Sequence, residues 1–224
     1  MLRELCSRSI FLEVILRREQ QRAHLLQCAL EVFADKGYHQ ASISNIIKRA
    51  GVARGTFYLY FESKRSVFDQ LLDDLFELLN SKVKRIDPSR GPAGVVAQME
   101  SNVDEVVDLM LSNRAMLRIL MAEAVGLDPG FDEKLSEFYQ RLLLMIEQSL
   151  KLGTGMQVIR KVNTQVASLC ILGSIKEVLY QVAMGQKLPK REILVKEILG
   201  YNIRGLFVPE VAEKVEHMTG GSGV

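Results

Sequence analysis

The side chains of this 224-residue chain best suited to chemistry crowd between positions 42 and 64. Arg54, Thr56, Tyr58 and Tyr60 bring a guanidinium, a hydroxyl and two phenols close together, and Lys48 and Lys64 flank them. Such groups donate hydrogen bonds to phosphate oxygens and base edges, so nucleic-acid recognition is the chemistry they favour. Catalysis is not indicated. His24, His39 and His217 are scattered, and no carboxylate pair or Ser/His/Asp set stands out. Cys6, Cys28 and Cys170 are odd in number and far apart, without the paired spacing of a metal knuckle or disulfide framework. We therefore expect no enzyme, no metal and no cofactor. The thiols are expected to be reduced, with Cys28 and Cys170 as small core residues and Cys6 the only candidate for reactivity.

These side chains need elements that aim them. Ser42 can cap a helix with its hydroxyl, Ile43, Ile46, Ile47 and Ala50 follow at helical spacing as a buried face, and Gly51 can take the left-handed backbone that ends it. Arg54 to Tyr60 then form a second helix too short to stand alone, so Phe57 and Phe61 should face inward and leave Arg54, Thr56, Tyr58 and Tyr60 available. Two short helices joined by a glycine turn are the layout of a helix-turn-helix DNA reader. Charge follows the motif. Residues 17–66 carry nine Lys/Arg against four Asp/Glu, a net +5, whereas residues 67–224 are net −3. Cations of this kind supply nonspecific DNA affinity by counterion release.

At these residues the chain resembles the TetR family of bacterial transcriptional regulators. The resemblance runs through Val32-Phe33-Ala34-Asp35-Lys36-Gly37-Tyr38, Ser42-Ile43-Ser44-Asn45-Ile46, Ala50-Gly51-Val52, Gly55-Thr56-Phe57-Tyr58, Tyr60-Phe61 and Ser63-Lys64, and covers about 50 residues from Arg18 to Leu71. Ala53 departs from it, standing where the family often places a Ser, so a side-chain cap and one phosphate contact are lost at the head of the recognition helix. The backbone amides there can still meet an anion. The DNA-contacting set expected from motif and resemblance is Ser42, Lys48, Arg54, Gly55, Thr56, Tyr58, Tyr60 and Lys64. Arg54, Thr56 and Tyr58 should approach the major groove, with Lys48, Tyr60 and Lys64 on phosphates.

The rest of the chain reads as helices, with no alternating strand pattern and no internal repeat. The first should span about Arg17 to Lys36 and stop at Gly37. The fourth, capped by Ser63, carries Val67, Phe68, Leu71, Leu72, Leu75, Leu78 and Leu79 to about Arg85 and connects the domains. Pro92 opens a fifth to about Leu111, a sixth runs from Arg114 to Val125, and a seventh from Asp128-Pro129 to Gly153. The last two should span about 157–184 and 190–207. The expected fold is all-α: an N-terminal three-helix DNA-binding domain with a helix-turn-helix, then a larger helical ligand-binding and dimerisation domain, about nine helices in all. In residue terms this is an N-terminal extension 1–16, a reader 17–62, a regulatory domain 63–210 and a flexible tail 211–224. Residues 1–16, too short for a membrane span and broken by Glu13, read as an added helical turn, an upstream start or a basic arm carrying Arg3 and Arg8.

Seven of the nine methionines fall between residues 99 and 184. Methionine suits either an irregular helical core or an adaptable apolar pocket. The resemblance implies a pocket among the middle helices, with Met99, Val103, Val106, Met110, Leu117, Leu120, Met121, Phe138, Leu142, Met145 and Leu169 as candidate lining. Asn102, Arg118, Glu123 and Lys176 are candidate polar contacts for a ligand head group. It also implies a homodimer through the last two helices, where Val166, Leu169, Ile171, Leu172, Ile175 and Leu179 with Ile193, Leu194, Ile198, Tyr201 and Leu206 supply more apolar surface than one chain needs.

The function these features imply is a cytoplasmic DNA-binding transcriptional regulator, a repressor released from double-stranded operator DNA by a small hydrophobic or amphipathic effector, with no membrane partner. The alternative is a helical small-molecule or lipid-binding protein with a vestigial DNA-binding motif. Redox sensing through Cys6 or Cys170 is a weaker variant of the first.

Overall fold

The structure, a computed structural model, describes residues 2–122 and 129–209, and their side chains except at 2–12, 88, 92, 93, 121 and 122. Among the described residues there are nine α-helices and no strand: α1 (Leu2–Lys36), α2 (Ile43–Ala50), α3 (Arg54–Tyr58), α4 (Lys64–Lys82), α5 (Gly91–Ser112), α6 (Arg114–Ala122), α7 (Pro129–Gly155), α8 (Thr164–Ala183) and α9 (Arg191–Leu206). The N-terminal residues are helically continuous with the first reader helix. The break expected near Arg17 does not occur, because the run from Leu2 to Lys36 holds neither proline nor glycine. The expected tail, residues 211–224, lies outside the described residues.

Local chemistry sets most boundaries. Ser42 and Asn45 form a reciprocal capping box at the head of α2, and Ser63 and Ser66 form another at α4. Gly51 ends α2 at φ 65°, a left-handed conformation that glycine adopts without steric cost. The eighth helix starts seven residues later than expected. Gln157 has φ 58°, Ile159 pairs with Phe207 in an isolated antiparallel bridge, and only at Asn163 does a side chain cap the Val166 amide. Apolar residues at 158, 159 and 162 simulate a helical run there, but tertiary pairing with the end of α9 takes the backbone.

One continuous core joins reader and regulatory helices. Leu25, Phe33, Tyr38, Ile46 and Phe57 of the reader cluster with Phe68 and Leu72 of α4, Leu117 of α6 and Phe131 of α7. Rings fill the junction: Phe131 stacks on Phe68 at 4.4 Å between centroids and lies 4.7 Å from Tyr38. α1 packs on α2 and α6, α4 and α8 pack on α7, and α5 on α9. Ion pairs mark two of these seams. Lys134 and Arg141 of α7 both reach Asp73 of α4 at 3.0 Å, and Arg191 of α9 bridges Asp104 and Asp108 of α5.

Candidate DNA-reading surface and effector cavity

α3 has five residues and cannot hold itself together, so its face is fixed by anchors. Phe57 is fully buried and Phe61, just beyond, nearly so, with the Arg22 guanidinium 5.5 Å over the Phe61 ring. The turn thus fixed leaves Arg54, Gly55 and Tyr58 exposed and Thr56 and Tyr60 half-buried. Arg54 Nη2 donates to Tyr58 Oη at 3.4 Å, and its guanidinium stands 5.8 Å over the Tyr58 ring, so the two present one ordered polar face. Ala53 provides no side-chain cap to α3, as the sequence implies. Ser42, committed to the capping box, sits exposed at the head of α2, and Lys48 is exposed near its end.

Lys64 lies elsewhere than on this face. Its ammonium donates to the carbonyls of Tyr38 (2.7 Å), Ala41 (3.1 Å) and His39 (3.4 Å) and rides 4.3 Å from the Tyr38 ring centroid. The helix-entry loop has three carbonyls that α2 cannot satisfy, and the first residue of α4 reaches them. Sequence reasoning missed Leu59, which at 70 % exposure is the most open large apolar residue of the reader. Its signal was its position between Tyr58 and Tyr60 with no helical partner for burial.

The second feature is a cavity of about 240 Å³ enclosed by α4–α9 and the 156–159 segment. Eight of the eleven candidate lining residues border it: Met99, Val103, Val106, Met110, Leu120, Phe138, Leu142 and Met145. Met121 has its side chain outside the described residues. Leu117 is instead fully buried in the core that α6 shares with α1. Leu169 is 53 % exposed, because α8 is apolar on most sides and the sequence does not reveal which side turns inward. Residues 171, 172, 175 and 179 turn inward; Val166 and Leu169 point away.

The lining missed in the sequence comes from connections. Val83 and Ile86 follow α4, Met156, Val158 and Ile159 follow α7, and Phe207 ends α9. The 157–159 backbone was expected to be helical, so these could not be foreseen. The polar candidates separate clearly. Asn102 borders the cavity, but its amide exchanges hydrogen bonds with the backbone of Lys84 at 2.7 and 2.8 Å, tying the chain after α4 to α5. Arg118 is exposed, and Glu123 lies outside the described residues. Tyr139 borders the cavity with its hydroxyl donating to the Leu120 carbonyl at 3.3 Å, and burial pushes its phenol up to about 12, so it stays protonated. Lys176 also borders the cavity.

Cys28 is buried beside His24, and burial followed by the nearby Glu31 raises its thiol above the ordinary value. Cys170, expected in the core, is exposed on the outward side of α8. Cys6 has its side chain outside the described residues.

The family model described as "Bacterial regulatory proteins, tetR family" matches residues 25–71, the segment that builds the reader. Residues 25–71 are thus a DNA-binding segment of the TetR type. The chain is a transcriptional regulator of that kind, and its relatives form a non-enzymatic class. The HTH-type transcriptional regulator YvdT of Bacillus subtilis is 27 % identical over 184 residues, 81 % of this chain and 93 % of that protein. The fatty acid metabolism regulator protein of the same organism is 25 % identical over 158 residues, 68 % of this chain and 78 % of that one. In fold, the chain is similar to the transcriptional regulator FadR from Bacillus subtilis solved in complex with stearoyl-CoA. That likeness has TM-score 0.68 and 22 % identity, and covers 82 % of this chain and 98 % of the other. TetR-family regulators bind operator DNA and small effectors as dimers.

Proposed function

We propose that this regulator is a cytoplasmic repressor that holds a palindromic operator as a homodimer and leaves it when a hydrophobic or amphipathic effector of the fatty-acyl class fills the cavity. The observation that carries this reading is an almost wholly apolar cavity bordered by the last turn of α4, whose first turn begins at the reader. A ligand that reshapes the α4–α5–α7 seam moves the base on which α2 and α3 stand. Effector and DNA are then negatively coupled. The fatty-acyl class rests on the relatives named for fatty acid metabolism and stearoyl-CoA.

In this reading residues 17–62 are the reading unit and 63–210 the regulatory and dimerising one. Arg54 and Tyr58 meet base edges with Thr56 beside them, Gly55 lets the backbone come close, and Leu59 offers apolar surface to a thymine methyl. Ser42, Lys48 and Tyr60 hold phosphates. Lys64 serves as a positioning residue for the loop before α2. The partner subunit covers the outward sides of α8 and α9, where Val166, Leu169, Met184, Ile193 and Tyr201 stand exposed. By length and composition Thr164–Ala183 could cross a membrane; pairing with its copy gives that apolar face a protein partner instead.

Fluorescence anisotropy with DNA fragments from upstream of the gene, at two salt concentrations and against unrelated competitor, tests the reading. Competitor-resistant binding that weakens with salt and is released by hexadecanoyl-CoA is expected. Weak, sequence-indifferent binding together with tight acyl binding would return the chain to the lipid-binding class.

A further inference from the structure

Among the described residues Lys176 is the only charged side chain bordering the cavity, and no carboxylate of theirs pairs with it. Several other basic residues of the regulatory helices are spoken for: Lys82 by Glu105, Lys134 and Arg141 by Asp73, and Arg191 by two aspartates. The Lys176 ammonium stands 4.7 Å from the Tyr139 ring centroid, which gives it an aromatic neighbour but leaves its charge uncompensated. Its residue is exposed, so the ammonium marks the place where the cavity meets water.

The position within the cavity matters as much as the charge. On α7 the lining runs from Phe138 and Tyr139 to Gly153, fifteen steps along the helix, or about 22 Å at a rise of about 1.5 Å per residue. Lining that continues over that length makes the cavity a slot along α7. Tyr139 and Lys176 stand at one end of the slot, while Met156, Ile159 and Phe207 close the other with apolar surface. Carbon–carbon bonds of about 1.52 Å advance an extended alkyl chain by about 1.25 Å per methylene, so the slot matches a linear chain of about 16 to 18 carbons.

We infer that Lys176 anchors the head of the effector, which is a linear alkyl chain carrying an anion at one end, its methyl end lying against Phe207. This rests on the reading of the cavity as the effector site and adds the ligand's polarity and direction. The anion is either a carboxylate or the phosphates of a thioester carrier; both present oxygens to an ammonium. Tyr139, neutral and bonded to the Leu120 carbonyl, supplies a ring wall beneath the head and no competing charge.

The test is calorimetric titration of hexadecanoate, hexadecanoyl-CoA and uncharged hexadecanol into the wild-type protein, Lys176→Gln, Lys176→Arg and Leu142→Trp. Lys176→Gln is expected to weaken one or both anionic ligands about tenfold, and to leave hexadecanol within about twofold. Lys176→Arg should restore the loss. Loss for the acid assigns the carboxylate, and loss for the thioester alone assigns the phosphates. Unchanged anionic affinities in Lys176→Gln, or an equal loss for hexadecanol, would overturn the assignment. Leu142→Trp, which fills the slot, separates the two levels: abolished binding of all three ligands upholds the cavity as the site. Unaltered binding of all three would sink the cavity reading itself, whatever Lys176 does.

Discussion

The reader and the cavity both offer a surface to a ligand, but they are assembled from different kinds of contact. Within 22 residues, Ser42, Gly51 and Ser63 mark where α2 starts, where it ends and where α4 begins, and buried Phe57 turns Arg54 and Tyr58 outward. The cavity draws on residues from Leu79 to Phe207 and depends on how six helices and their connections settle against one another. Short-range caps fix a polar face residue by residue. Long-range packing fixes an apolar volume only as a whole, so its residues trade places more readily with ordinary core.

If the contrast is one of assembly and not of separate folding, damage at the seam should reach both regions. Phe131 is fully buried against Phe68 and Tyr38, where α7 meets the reader. Phe131→Ala should cost about 3–5 kcal/mol and lower a single unfolding transition in urea. Two separated transitions, with the reader's unmoved, would show that the regions stand independently. A smaller effect is expected one layer out. Lys64→Met keeps the side-chain stem but leaves three loop carbonyls without their donor, a loss of about 1–3 kcal/mol. Well below its melting temperature the variant should bind operator with an unchanged salt dependence, whereas Lys48→Ala should reduce the slope by about one. A slope reduced in Lys64→Met with stability intact would move Lys64 onto the phosphates and enlarge the reader.

These two cases also show what the sequence could convey. The all-α architecture, the capped helices and the exposed side of α3 follow from short-range signals: hydroxyl residues at caps, Gly51 at φ 65°, and aromatic residues spaced to bury one side. The direction of the Lys64 ammonium does not, because a lysine at the head of a helix can point to solvent as easily as to a neighbouring loop. The pocket shows the same limit at larger scale. Eight lining residues were legible because α5, α6 and α7 are amphipathic, yet Leu169 was misplaced on the nearly all-apolar α8. Residues 157–159 were lost with the helix they were assigned to. Their conformation is decided by Phe207, about fifty residues away, through the bridge to Ile159.

On the reading face itself, loss should appear in DNA affinity and not in stability. Tyr58 is 45 % exposed, so Tyr58→Ala should change the unfolding free energy by no more than about 0.5 kcal/mol. It removes the ring under the Arg54 guanidinium as well as its own contact, and operator affinity should fall about tenfold or more. Intact affinity would remove α3 from the base-reading role and leave the cavity as the only ligand surface.

The finest discrimination comes from Gly55. A Cβ built there meets nothing within 4 Å, and its backbone is helical without the positive φ seen at Gly51. No contact inside the molecule therefore requires glycine, and alanine at a helical position should stabilise the fold by about 0.5–1 kcal/mol. If the backbone of α3 approaches DNA closely, the same methyl group stands between them. Gly55→Ala should then melt higher than the wild type while binding operator several-fold more weakly, opposite signs that folding effects alone cannot produce. Equal or tighter operator binding would mean that DNA is held off by the side chains of Arg54 and Tyr58, and that the glycine leaves the backbone no closer than they allow.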